Sequence, residues 1–99
     1  MKTLSKKLDG MHKKYKVVFD KKYNKDLKHI HPSYHQAIMK ISLSLGHNPR
    51  PDGYIKLKGS DNLFRVRVGP YRIIYTIEDD KLIILVLEIG DRKDVYKSL

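Results

Sequence analysis

The chain has 99 residues, enough for one domain and too few for two, and its 21 Lys and Arg against 11 Asp and Glu give a formal charge of +10. The absence of cysteine excludes disulfide frameworks, cysteine–zinc sites and thiol nucleophiles, and a 40% hydrophobic content excludes wholesale disorder. The longest strongly apolar run, Leu82 to Leu87, is far short of the roughly 20 residues of a membrane-spanning helix, so the expectation is a small cytoplasmic domain whose charge matches a polyanion or an acidic protein.

Lysines crowd the start of the chain. Residues 1–30 hold ten lysines and three aspartates, a net of +7, whereas residues 31–99 hold six lysines, all five arginines and eight acids, a net of +3. Residues 1–14 read as an N-terminal arm with Leu4, Leu8 and Met11 available for docking, and residues 15–99 as the domain proper. Tyr15 to Phe19 reads as a short strand of β-branched and aromatic residues. Asp20 is placed to cap a helix over 21–30, along which Tyr23, Leu27 and Ile30 form one apolar stripe. Pro32 stops that helix and opens the next, over 33–45, with Tyr34, Ala37, Ile38, Ile41 and Leu45 on one face and Gly46 as its C-terminal cap.

Residues 46–53 are dense in Gly, Pro, Asn and Asp and form a loop. Beyond it the period changes to two. Tyr54 to Lys58, Leu63 to Val68 and Tyr71 to Ile77 read as strands, separated by turns at 59–62 and at Gly69-Pro70. Residues 78–81 make a hairpin connection, and Leu82 to Ile89, nearly all apolar, reads as a central strand. The order predicts an α+β fold: an N-terminal strand, a helical hairpin, then a three- to four-stranded antiparallel meander.

Strand alternation sorts the arginines. In Phe64-Arg65-Val66-Arg67-Val68 the apolar side chains point one way, toward the helices, and both arginines the other, about 7 Å apart from the strand rise. Arg72 on the next strand can share that face, and Arg92 and Tyr96 follow the end of the apolar strand. Alternating arginines also solvate an exposed sheet face, so alternation alone does not separate the two readings. Against plain solvation, lysine outnumbers arginine 16 to 5 in the chain, yet this face uses arginine. Glu88 is expected to pair with one of these arginines. His29, His31 and His35 have a spacing reminiscent of metal ligands but no acid completes a set, so they are read as solvated residues of the helix junction. Asp79-Asp80 is read as a turn pair present for local reasons.

The segments Lys56-Leu57-Lys58-Gly59, Phe64 to Val68, Tyr71-Arg72-Ile73-Ile74-Tyr75 and Ile89 to Tyr96, in this order, resemble the RelE/ParE toxin superfamily of toxin–antitoxin systems, and within it the RelE-like mRNA interferases. The resemblance covers roughly residues 15–97. It implies a β-α-α-β-β-β fold with helices on one sheet face and a basic site on the other. It further implies a ribosome-dependent, metal-independent endoribonuclease without cofactor, whose partners are mRNA, the ribosome and a cognate antitoxin. Family positions fall on Arg65, Arg67, Arg72, Arg92 and Tyr96 for catalysis, and on Lys56, Lys58, Arg65 and Arg67 for substrate binding. Members of the best-known type carry lysines at the positions of Arg65 and Arg67. Arginine effectively cannot lose its proton, so here those positions supply charge and not a base. The alternative is a ParE-like toxin of the same fold that binds DNA gyrase without catalysis.

Overall fold

A computed structural model describes residues 14–91. The elements are β1 (Lys16–Phe19), α1 (Lys22–Leu27), a single 3-10 turn (Pro32–Tyr34), α2 (His35–Ser44), β2 (Ile55–Lys56), β3 (Phe64–Val68), β4 (Tyr71–Glu78) and β5 (Ile83–Asp91). The expected α+β order holds. The sheet runs β1-β5-β4-β3-β2, with every pair antiparallel except β1 beside β5. It is therefore mixed. A parallel neighbour needs a long crossover, and here the helices and the rest of the meander supply it. The arm expected over 1–14, and the docking role of Leu4, Leu8 and Met11, lie outside the described residues apart from Lys14.

Both helices are shorter than their apolar stripes suggest, for local reasons. The cap position falls on Lys21, which makes no side-chain cap bond, and Asp20, one residue earlier, accepts the Lys22 N–H at 3.1 Å through its carboxylate. At the other end of α1 the His35 Nε2–H is shared between the carbonyls of Leu27 and Ile30, 2.8 Å from each. These bonds satisfy acceptors that a terminating helix leaves open. His31 Nδ1 accepts the Ser33 N–H and opens the 3-10 turn at Pro32. His31 and His35 are thus turn-builders, and His29 is exposed. Among the described residues no group of three or more His, Asp or Glu is placed to hold a metal.

Gly46 has a different role from the cap expected of it. Leu45 ends α2 in a right-handed conformation, and the left-handed glycines are Gly53, Gly59 and Gly69. Gly46 is needed because β1 crosses against it: its carbonyl accepts the Tyr15 N–H at 2.7 Å, and a Cβ would stand 2.7 Å from the Tyr15 carbonyl oxygen. The core lies between the helices and one sheet face. Tyr23, Ile30, Ile38 and Leu45 meet Phe64, Val66, Ile73, Tyr75, Ile84, Val86 and Ile89. Tyr75 is fully buried and donates to the Pro49 carbonyl at 2.7 Å, and burial pushes its phenol well above the usual range. Asp79 is more than a turn residue. Its carboxylate accepts from the Tyr15 hydroxyl and, at 3.0 Å, from Arg50, which straps loop 46–53 and the start of β1 to the β4–β5 turn.

β1 pairs only with Ile83 to Val86, so the edge of β5 beyond it has lost its strand partner. α1 fills the gap, and the Asp26 carboxylate accepts the Ile89 N–H at 2.9 Å. Asp26→Ala leaves that donor unsatisfied and should cost about 1–3 kcal/mol. A drop in the urea midpoint with unchanged slope checks it.

Candidate functional site

Alternation within β3 directs Phe64, Val66 and Val68 to the helices, and Arg65 and Arg67 to the other face. The register sets their neighbours. Arg67 stands directly opposite Arg72, and Arg72 is opposite Gly90. In the adjacent row, Ile55, Arg65, Ile74 and Glu88 lie side by side across four strands. Opposed residues on one face have Cβ atoms about 4.5–5.5 Å apart, so two guanidinium-bearing chains start next to each other. Like charges so placed repel, and an anion between them relieves the repulsion.

A bulge in β5 decides which residues share this face. The pairing steps from Ile74 with Glu88 to Tyr75 with Val86, leaving Leu87 as the extra residue. Without it, strict alternation places Glu88 on the side of the buried Ile84 and Val86. With it, Glu88 and Gly90 turn to the arginine face while Ile89 joins the core.

The face is less open than a solvated sheet surface. Arg65 and Arg72 are 8% and 7% exposed, Ile74 is fully buried, and only Arg67 of the three arginines is exposed. Long arginine stems laid along a sheet cover apolar surface, which is how two of the three arginines come to be buried here. Three adjoining depressions follow the arginines. The largest, about 510 Å³, is lined by Lys56, Lys58 and Arg65 together with Ile55, Leu57 and Leu63. The second, about 270 Å³, lies between Arg65 and Arg67 and has Asp52 on its rim. The third, about 70 Å³, lies among Arg67, Tyr71 and Arg72. Lys56 pairs with Phe64, which bases it on the opposite side of the edge strand from Arg65, yet its side chain and that of Lys58 reach the same depression as Arg65.

The Gly69-Pro70 turn locks this register. Val68 pairs with Tyr71 across a two-residue connection, with glycine first and at positive φ, as a II′ hairpin requires. The Tyr34 ring packs on Gly69 and edge-on against Tyr71, whose hydroxyl accepts the His31 N–H at 3.1 Å. The helix junction therefore holds the arginine-bearing hairpin from the core side.

Among the described residues Glu88 pairs with Lys22 and not with an arginine. Its Oε1 lies 2.6 Å from Lys22 Nζ, a partner that no local pattern indicates because it is 66 residues away in sequence. The carboxylate holds the Lys22 ammonium above its ordinary pKa. Arg92 and Tyr96 lie outside the described residues.

A family model described as the ParE toxin of type II toxin–antitoxin system, parDE, matches residues 17–96. The chain belongs to this toxin family. It is similar to the RelE1 protein of Methanocaldococcus jannaschii, with 35% identity over 86% of this chain and 98% of that protein, and to toxin RelE3 of the same organism, with 34% identity over 82% and 94%. The fold superposes on the archaeal RelE–RelB complex from Pyrococcus horikoshii, with 27% identity, a TM-score of 0.70, and coverage of 81% of this chain and 97% of that one. It likewise matches the RelB–RelE antitoxin–toxin complex from Methanococcus jannaschii, with 29% identity, a TM-score of 0.67, and coverage of 84% and 99%. The protein is a toxin of a toxin–antitoxin system of RelE type, as the resemblance implied. No helix among the toxin's described residues is long and apolar enough to cross a membrane.

Proposed function

We propose that the toxin, through the domain spanning residues 15–99, is a ribosome-dependent mRNA endonuclease. The observation that carries the reading is the clustering of Arg65, Arg67 and Arg72 on one sheet face, with Arg67 directly opposite Arg72. In the proposed reaction the RNA 2′-oxygen attacks the adjacent phosphorus, the P–O5′ bond breaks, and a cyclic phosphate and a 5′-hydroxyl result. The pentavalent phosphorane carries extra negative charge, which Arg65, Arg67 and Arg72 stabilise through fixed N–H donors. Neither Arg65 nor Arg67 is suited to accept the 2′-OH proton. Tyr96 takes that role, and Arg92 neutralises the charge on the leaving 5′-oxygen, which takes its proton from solvent. Lys56 and Lys58 bind the RNA beyond the scissile phosphate. The chemistry asks for a proton acceptor and for cations around phosphorus, the roles given to this set, and for a proton that solvent supplies, and it calls for no cofactor.

The ribosome positions the substrate, and a cognate antitoxin binds the toxin, as RelB is bound to RelE in the complexes of the structural relatives. The test is mRNA cleavage on programmed ribosomes. Wild type is expected to cut mRNA there, and Tyr96→Phe to slow the cut by about 10²-fold or more, as loss of a general base does. Intact mRNA together with inhibition of DNA gyrase overturns the reading in favour of a ParE-type toxin.

A further inference from the structure

We propose that Asp52 is a base-reading residue of the arginine face: its carboxylate accepts the exocyclic amino group of an RNA base seated between Arg65 and Arg67, and so discriminates against uracil. The inference rests on the reading of this face as an RNA site. The depression between the two arginines, about 270 Å³, has Ile55 on its wall and Asp52 as its one acid. Among the described residues Asp52 has no hydrogen-bond or ion-pair partner, although it shares this depression with two guanidinium groups. The salt bridges there are Lys22 with Glu88 and Arg50 with Asp79.

The turn that carries Asp52 does not need it. The Tyr54 N–H bonds back to the Pro51 carbonyl at 3.0 Å, with Asp52 and Gly53 between them and Gly53 at φ +85. A turn with positive φ only at its third residue demands glycine there and no acid before it. The loop is fixed by other residues. Pro49 accepts the Tyr75 hydroxyl at 2.7 Å, Arg50 bonds Asp79 at 3.0 Å, and the Asn48 side chain accepts the Arg50 N–H at 3.3 Å. Asp52 is thus held at the rim in advance, which lowers the cost of ordering it on a ligand.

A carboxylate only accepts hydrogen bonds, and it repels phosphate. On a face that holds RNA through guanidinium groups it weakens binding unless the RNA donates to it. The donors of unpaired bases are the exocyclic amino groups of adenine, cytosine and guanine. Uracil offers a single N–H between two carbonyl oxygens, and those oxygens face a carboxylate unfavourably. The other walls suit a base as well: guanidinium planes stack on bases, and Ile55, 46% exposed, presents apolar surface that a phosphate has no use for.

The test is binding of fluorescent oligocytidylate and oligouridylate of equal length to the full-length toxin, at neutral pH and low salt, read by anisotropy. Wild type is expected to prefer oligocytidylate by about tenfold, the scale of one hydrogen bond to a charged acceptor. Asp52→Asn offers both a donor and an acceptor, so its preference should fall to about twofold or less. It should also bind oligouridylate more tightly than wild type, because the repulsion is gone. Asp52 is exposed, so this substitution leaves the fold intact. A wild type without preference overturns the inference. So does an Asp52→Asn variant that keeps the wild-type ratio, even if it binds both oligonucleotides more tightly, because Asp52 then acts through charge alone. Arg67→Ala separates the two levels. If it binds both oligonucleotides as well as wild type, the RNA-site reading fails and this inference with it; if it weakens both while Asp52→Asn leaves the ratio unchanged, only the inference fails.

Discussion

Arg72→Ala is expected to slow mRNA cleavage on programmed ribosomes by about 10²–10³-fold, the scale of losing one fixed donor to a developing oxyanion. The size follows from how firmly this side chain is placed. β4 is hydrogen-bonded on both sides, to β3 through Arg67 and to β5 through Gly90, so the Cα of Arg72 has no freedom to move away from the site. Arg72 is a buried residue, so an interaction with phosphate there is weakly screened, whereas Arg67 is exposed and works in higher dielectric. Arg67→Ala should therefore cost less than Arg72→Ala. Arg72→Lys keeps the charge but not the planar fork, and its rate should fall between wild type and alanine. Single-turnover rates on saturating ribosomes read these differences directly. A rate for Arg72→Ala within a few-fold of wild type removes Arg72 from the chemistry.

The second large effect is on stability. Gly69→Ala is expected to cost about 2–4 kcal/mol, from two causes that act together. The residue sits at φ +59 in a two-residue hairpin, where any side chain is disfavoured. A Cβ built there would also overlap the Tyr34 ring, which is held in place by its edge-on contact with Tyr71. For a domain of this size such a loss lowers the thermal midpoint by about 10 °C or more. The same turn sets Val68 opposite Tyr71 and hence Arg67 opposite Arg72, so the folded fraction of Gly69→Ala should also cleave more slowly. Pairing Gly69→Ala with Tyr34→Ala tests the mechanism: relief of the overlap should return part of the lost stability, and a strictly additive loss would show that backbone conformation alone is responsible.

The sequence by itself determined the layer order, the turns and the face on which the arginines lie. Period-two alternation in Phe64 to Val68 has only one way to bury three apolar side chains, and that choice sends Arg65 and Arg67 to the opposite side. Gly69-Pro70 announces its hairpin because few residues accept the backbone it needs. Other features were beyond local reading because they depend on partners distant in the chain. The bulge at Leu87 turned Glu88 out of the core phase, and no pattern within Leu82 to Ile89 marks where the register slips. The same holds for Gly46, whose small size answers to β1 and not to the helix it follows, and for Asp79, which binds Tyr15 and Arg50 across the fold.

The pairing of Glu88 is the sharpest case. Sequence reasoning could place an acid near several arginines, and charge alone then favours an arginine partner. Only the tertiary structure brings α1 against the open edge of β5 and delivers Lys22 there. Alternation and turn chemistry are properties of neighbouring residues and survive in any compact arrangement. Choice among competing charges depends on distances that exist only after the sheet order is set, and at these separations a few ångströms decide which cation prevails.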